Sequence, residues 1–404
     1  MGRSYLDNAS TSPLRPKARA AMVHAMDTLT GDPGRIHEEG MAARVALETA
    51  REQVAQLLGA RSREVVFTSS GTEAIATAVR GAVERAHGRA DDPAAAVHQV
   101  VTAVEHSAVR HSAERAGSVT VVPVDGHGRV DVDAMLDPIG PDTAVVHIQW
   151  GNHEVGTIQP VAEVVAACRE RGVLVHVDAA QAAGRVPIDF VALGADLLSV
   201  SGHKLGGPAG TGVLLVRRGL RIPPLLLGGD QERSRRAGLE PVAALVGLGA
   251  ACAALSAPAD EPNDDGTSQR RGENENDGDD VLASEARRAE AQTDRIRGGL
   301  ASLDGVTAYG DPVHRLPHLV CLGIDGIEPQ GVLLGLDRAG IAAHSGSACS
   351  SESLEPSPVL AAMGVDAHRS LRVSVGWSTT DADIDLLLAT LPDVIARLRA
   401  LATS

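Results

Sequence analysis

Between residues 64 and 218 the chain repeats one pattern seven times: a short, apolar, β-rich run followed by a turn or a helical segment. The runs are "EVVFTSS", "HQVVTAVEH", "VTVVPVD", "TAVVHIQW", "LVHVDAA", "DLLSVSGH" and "GTGVLLVRR", with helical stretches such as "GTEAIATAVRGAVERA" and "PVAEVVAACRERG" among them. Strands this continuously apolar must be covered on both faces, and helices alternating with strands supply the cover. The pattern predicts an α/β unit over residues 15–256 built on a seven-stranded, mostly parallel sheet, with its working edge at the strand ends. Beyond it, the helix "VLASEARRAEAQTDRIRGGLASL", the short strands "VTAYG", "LVCLGI" and "SLRVSVG", and a terminal helix from about Thr379 to Leu401 predict a smaller α+β unit. That unit is expected to combine residues 1–14 with residues 282–404.

Between the two units lies "PADEPNDDGTSQRRGENENDGDD", residues 258–280, with nine acids against two arginines. It has too little apolar surface to offset the entropy of ordering, so residues 257–281 are expected to be a disordered acidic insertion. The insertion contributes much of the formal net charge of −15, and that charge argues against a direct nucleic-acid partner, which would require a basic surface. No apolar run approaches the length that spans a bilayer, and the start, "MGRSYLDNAS", has no apolar signal core. A cytoplasmic protein without a membrane partner is expected.

The four cysteines form no CxxC pair, which disfavours a zinc site or a disulfide scaffold. Cys168 and Cys252 lie in helical runs and Cys321 in a strand, where a thiol serves as a small hydrophobe. Cys349 differs: in "HSGSACSSESLEP" it has only small polar neighbours and no apolar periodicity. Lysine use is equally selective. Of 37 basic residues only Lys17 and Lys204 are lysine, and Lys204 stands directly after an apolar strand in "SVSGHKLGG". A lysine can lose its proton and attack a carbonyl, which arginine cannot do.

Lys204 has a counterpart in Asp178, which ends the strand "LVHVDAAQ". A lysine to hold an aldehyde and a carboxylate to pair with a pyridinium nitrogen are what a pyridoxal 5'-phosphate (PLP) site requires. The phosphate would need a cradle of its own. "FTSSGTEAIATAV" reads as strand, small-residue turn and helix, so the amides of Gly71 and Thr72 are expected at an anion, with Ser201 and His203 as further donors. Taken alone, "SSGTE" reads first as an ordinary helix cap. His106, closing "HQVVTAVEH", is placed to stack on a pyridine face or move a proton.

In order and spacing, "YLDNASTSP", "FTSSGTEA", "VEH", "NHEVGT", "HVDAAQ", "SGHK" and "SGSACSS…SLEPSPVL" resemble the NifS/IscS-type cysteine desulfurases of the class-V aminotransferase family. The resemblance runs from Tyr5 to the C-terminal helix, and the long segment after the cysteine resembles the group with an extended active-site loop. It implies a fold-type I PLP-dependent homodimer that converts L-cysteine to L-alanine and passes sulfur, as a persulfide on Cys349, to acceptor proteins. Carried over by position, Lys204 would hold PLP, Asp178 its ring nitrogen and Gln181 its ring oxygen. His106 would stack, Gly71, Thr72, Ser201 and His203 would hold the phosphate, and Arg372 would bind the substrate carboxylate.

Three positions depart from the family pattern. His153 stands where relatives carry an asparagine at cofactor and substrate, with Asn152 one residue earlier, so His153 is expected at the cofactor and Asn152 at the substrate. Leu239 replaces a threonine that reaches the partner subunit's phosphate, and Asp32 replaces an amide near the substrate carboxylate, which it would repel. Two other readings stay open: another PLP reaction, such as selenocysteine lyase or aminotransferase chemistry, and a non-catalytic scaffold with the same fold. Cys349 disfavours the aminotransferase. The sulfur acceptor, whether in iron–sulfur assembly, tRNA thiolation or DNA sulfur modification, is not legible.

Overall fold

The computed structural model describes residues 3–88, 97–259, 280–300, 302–345 and 356–402. The expected stretch of Cys349 and nearly all of the acidic segment lie outside the described residues. The chain opens with β1 (Ser4–Tyr5), then the helices α1 (Pro16–Thr28) and α2 (Glu38–Leu57), before entering the main sheet at β2 (Val65–Thr68). The sheet continues with β3 (His98–Thr102), β4 (Ser118–Val122), β5 (Thr143–Gln149), β6 (Leu174–Asp178), β7 (Leu197–Ser201) and β8 (Gly212–Val216). These are the seven runs read from the sequence.

Their order in the sheet is β2-β8-β7-β6-β5-β3-β4. The contacts among β3 to β7 are parallel, and β8 runs antiparallel to both of its neighbours. Parallel neighbours need crossovers, and α4 (Ser107–Ala116) supplies the one from β3 to β4, while α3 (Gly71–His87) carries the chain from β2 at the sheet edge to β3. The reversal at β8 follows from its connection to β7, which is a turn too short to return the chain to the other end of the sheet. The main core joins Val100, Val146, Ile148, Val177, Leu198 and Leu215 of the sheet to Val164 and Cys168 of one helix and Leu245, Leu248 and Cys252 of another.

A separate core packs around the antiparallel sheet of β9 (Val306–Tyr309), β10 (Leu319–Ile324) and β12 (Ser370–Ser374), in the order β12-β10-β9. Val320, Leu322, Leu371 and Val373 meet Ile296 and Leu300 of helix Val281–Leu300 and Ile384, Leu387 and Leu391 of helix Asp381–Ala402. Leu6 is buried in this second core, and β1 pairs in parallel with β11 (Ile341–Ala342), so the N-terminal segment packs with the C-terminal part of the chain. The two ends of the acidic segment also meet. Pro258 and Asp280 form an antiparallel bridge, and Val281 donates its N–H to the carbonyl of Ala257 at 2.9 Å. Helix Val242–Leu255 therefore leads into helix Val281–Leu300 without displacing either.

Three cysteines are buried, as their sequence context suggests: Cys168 and Cys252 in helices and Cys321 in β10. Burial pushes their thiols up to about 11, 12 and 12, so none of them supplies a thiolate near neutral pH.

Candidate active site

The ends of β5, β6 and β7 and the first turn of α3 enclose a cavity of about 160 Å³. Open α/β sheets bind ligands in this position, outside the carboxyl ends of their parallel strands. Nine of the residues singled out from the sequence line it: Gly71, Thr72, His106, His153, Asp178, Gln181, Ser201, His203 and Lys204. Ser70, Ile75, Gln149, Gly151 and Ala180 complete the wall without having been anticipated.

One end of the cavity suits an anion. The Ser70 side chain caps α3 by accepting the Glu73 N–H at 3.1 Å, which leaves the N–H groups of Gly71 and Thr72 without intrahelical partners and at the positive end of the helix dipole. A Cβ on Gly71 would lie 3.0 Å from the Ser201 Cβ, so glycine allows the helix to approach β7 closely. Glu73 is bound by Arg236 at 2.9 Å and by the Ser69 N–H at 2.8 Å, and the guanidinium holds its carboxyl below the usual range although burial opposes this. Lys204 follows β7 through a single tight turn, Gly202–Lys204, that brings its side chain to the cavity.

The opposite end carries Asp178, the last residue of β6, only 7% exposed, with Oδ1 accepting the Ala180 N–H at 3.0 Å. Gln181 is held from both sides. Its amide donates to the Ala9 carbonyl at 2.8 Å and its oxygen contacts His318 Nε2 at 3.2 Å, tying the N-terminal segment to the cavity wall.

Three histidines share this space. Burial, together with His153 and Lys204, lowers His106 to about 4, although Asp178 pulls the other way. Burial also lowers His153 to about 3, aided by Lys204 and Arg372, and it lowers His203, again with Lys204. All three are neutral near pH 7. His106 Nδ1 accepts the Ala108 N–H at 3.1 Å, so the ring proton sits on Nε2. The rings of His106 and His153 meet edge to face, with centroids 5.1 Å apart and planes at 71°.

Other expected positions fall elsewhere. Asn152 is completely buried and its side chain serves the backbone: Oδ1 accepts the N–H groups of Glu154 and Val155, and Nδ2 donates to Val104. It shapes the turn that presents His153. Asp32 lies apart from the cavity, in a charged groove of about 650 Å³ that also contains Arg35, Arg44 and Glu48. There it accepts the Gly34 N–H at 2.7 Å and pairs with Arg35, so its expected contact with the substrate does not occur within this cavity. Leu239 is 62% exposed.

Arg372, on β12, is buried behind His153. Its Nη1 donates to the His153 carbonyl at 2.9 Å, and its Nη2 to Asp7 Oδ1 at 3.0 Å and Ser10 Oγ at 2.6 Å. Its buried Nε–H has no partner among the described residues. Sequence reasoning also missed the support beneath α3. Glu232, Arg233 and Ser234 have φ of 48°, 59° and 61°, a left-handed turn that side chains rarely adopt. The Glu232 carboxylate holds the turn by accepting two bonds of 2.7 Å from Arg51 and one of 2.8 Å from the N–H of Phe67 on β2. No local sequence signal marks it, because its partners lie far away in the chain.

An amine, a carboxylate at the far end, and helix amides with a serine at the near end form a donor set that matches PLP: Lys204 for the aldehyde, Asp178 for the ring nitrogen, and Gly71, Thr72 and Ser201 for the phosphate. When bound, the cofactor supplies an electron sink for charge developing at a substrate α-carbon.

Comparison with known proteins agrees with this fold and donor set. The family model "Aminotransferase class-V" matches residues 4–263 and 281–387, with its interruption inside the acidic segment. The chain belongs to the class-V aminotransferase family, whose members depend on PLP. A cysteine desulfurase of Gluconacetobacter diazotrophicus is 40% identical over 410 residues, covering 99% of this chain and 95% of the relative. The cysteine desulfurase IscS of Methanosarcina thermophila is 38% identical, covering 98% and 92%. Within the class-V family, the chain is therefore one of the cysteine desulfurases. Among solved structures, a "NifS-like protein" superposes with a TM-score of 0.84 at 29% identity, covering 98% of this chain and all of that one. "SspA in complex with cysteine" superposes with a TM-score of 0.76 at 25% identity, covering 92% and 98%.

Proposed function

We propose that this cysteine desulfurase takes L-cysteine as substrate and delivers its sulfur to Cys349. One observation carries the reading: Lys204, Asp178 and the amide end of α3 converge on one cavity in a chain with full-length similarity to cysteine desulfurases. In the reaction the C–S bond of cysteine breaks, the sulfur joins the Cys349 sulfur as a persulfide, and the carbon fragment takes up protons and leaves as L-alanine. A thiol and cysteine thus become a persulfide and alanine with no external oxidant or reductant.

The roles follow from position. Lys204 holds the cofactor and then moves the substrate α-proton. Asp178 keeps the ring nitrogen charged, and His106, carrying its proton on Nε2, stacks on the ring. Arg372 binds the substrate carboxylate, which takes over the Nη2 hydrogens now held by Asp7 and Ser10. The described residues that flank the Cys349 stretch support its role as carrier. His344 bridges Arg372 through paired backbone bonds of 2.7 and 3.2 Å, and Ser357 donates to Glu154, next to His153.

The reading extends to a homodimer, to sulfur-acceptor proteins and to the cytoplasm. Exposed apolar side chains on α1 (Val23, Met26), on α2 (Met41, Val45) and at Ile36, Leu227 and Leu239 support a second copy as the cover for this side. Among the described residues no helix is long and apolar enough to cross a membrane, and three cysteines are free thiols, which supports the placement. We also divide the chain as its two cores suggest, into residues 15–256, and 1–14 with 282–404, separated by the acidic segment. The test is to assay sulfide and alanine from L-cysteine with PLP and a reductant. The parent should form both in equal amounts and Cys349→Ser should lose nearly all sulfide. Equal, substantial sulfide from the two proteins would sink the persulfide role.

A further inference from the structure

Behind the cavity floor lies a carboxyl group that none of the roles above uses. Glu105 precedes His106 in the turn from β3 to α4 and is 3% exposed. Its Oε1 accepts the Thr102 hydroxyl at 2.7 Å and the Gln149 N–H at 2.8 Å. Its Oε2 is buried without a hydrogen-bond partner, and no ion pair reaches Glu105 among the described residues. The charged group that acts on it is Asp178 of β6, whose register partner is the same Gln149. A carboxylate with one oxygen unpaired, no cation and a second carboxylate nearby is the arrangement in which the charged form is least stable.

We propose that Glu105 is held as a neutral carboxylic acid and acts as a positioning residue: it clamps the turn that presents His106 and leaves Asp178 the sole anion at the ring-nitrogen end of the cavity. The second half of this proposal rests on the PLP reading, and the first half does not. Burial, reinforced by Asp178, pushes the Glu105 carboxyl up to about 8, against the opposing bonds from Thr102 and Gln149. An ionised Glu105 would place a second negative charge on the floor, and its repulsion would make the charged form of Asp178 harder to keep.

Three measurements on the PLP-loaded protein test this. Infrared difference spectra of the parent between pH 6 and pH 10 should show the carbonyl band of one buried, protonated carboxyl that disappears on the alkaline side. Absence of that band at pH 7 would overturn the proposal whether or not any variant folds. The Tm difference between Glu105→Gln and parent should move in favour of the variant as pH rises from 5 to 8, because the raised group holds a proton that the unfolded chain releases. A flat difference over that window would also overturn it. For positioning, Glu105→Ala removes the acceptor of two buried donors and should lower kcat about tenfold with little change in KM for cysteine, while Glu105→Gln recovers most of that loss. A Gln variant as impaired as the Ala variant would exclude the neutral-acid role. The infrared and melting readouts need no turnover, so they stand even if cysteine proves not to be the substrate.

Discussion

Two groups of histidines, one beyond the carboxyl ends of the strands and one inside β5 and β6, serve different ends. In the cavity, His106, His153 and His203 line a space. One step deeper, on the strand face that carries Gln149, Asp178 and Ser201, His147 of β5 and His176 of β6 are sealed into a row of side chains that crosses four strands. Gln99 donates to the Ala113 carbonyl at 3.0 Å, His147 Nε2 contacts the Gln99 oxygen at 3.1 Å, the two Nδ1 atoms lie 3.0 Å apart, and His176 Nε2 meets Ser199. The fixed Gln99 amide orders every proton. His147 must carry its own on Nε2, His176 on Nδ1, and Ser199 must donate. Burial lowers both rings, His147 to about 3 and His176 well below its ordinary value. Both groups are neutral for the same reason, yet only the outer one has ring faces and nitrogens left for a ligand. A depressed histidine is therefore not a functional histidine until its partners are counted.

The comparison can be broken at several points. The largest effect is expected outside it, at the lysine that shares the cavity with the outer group: Lys204→Ala should abolish the visible absorption band of the lysine-bound cofactor and lower desulfuration by about 10³-fold or more. Retention of that band would remove Lys204 from its role. Within the inner row, His176→Leu removes the partner of the Ser199 hydroxyl and of His147 Nδ1 and should destabilise the fold by about 2–4 kcal/mol, read as a fall in Tm, while the cofactor band persists. In the outer group the expectation is reversed, since His106→Ala should cut kcat by about 10- to 100-fold with a small change in Tm. Equal Tm losses at the two positions would erase the distinction.

A pH series sharpens the same contrast. His147 and His106 have folded values of about 3 and 4 against an ordinary value of 6.5, so the unfolded chain takes up protons first on acidification. Their contribution is fully present above pH 6.5 and is lost as pH falls toward 4 and 3, so Tm should drop across that window and drop less steeply in His176→Leu. The smallest effect is expected for His153→Asn, which restores the residue type that the family pattern carries there. It should shift KM for cysteine within about threefold and leave Tm nearly unchanged, since a polar side chain of similar reach replaces a neutral ring at the cavity wall.

Much of this architecture was legible in the chain. Seven apolar runs became seven strands because a strand buried on both faces has to be apolar at nearly every position, and that leaves a local mark. The convergence of Lys204 and Asp178 on one cavity was legible because open α/β sheets place their ligand crevices at strand ends. Asn152 and Asp32 do not line the cavity, and the sequence did not show this, because the direction of a side chain within a turn depends on which backbone groups need partners. Asn152 has three such bonds and Asp32 caps its own loop. The Glu105 carboxyl was hidden beside the more conspicuous His106, and the pairing of His147 with His176 becomes visible only through strand register.

The sequence by itself determined the sheet, the two cores, the place where the acidic segment enters, and the kinds of chemical group available at the strand ends. These follow from apolar periodicity, charge and composition, which act over a few residues. Tertiary structure alone decided which of those groups keep a free face. Hydrogen-bond partners drawn from neighbouring strands occupy both ring nitrogens of His147 and His176, while His106, His153 and Lys204 line a cavity. Whether a polar group can act on a ligand depends on the bonds that remain to it, and those are settled only when the strands have come together.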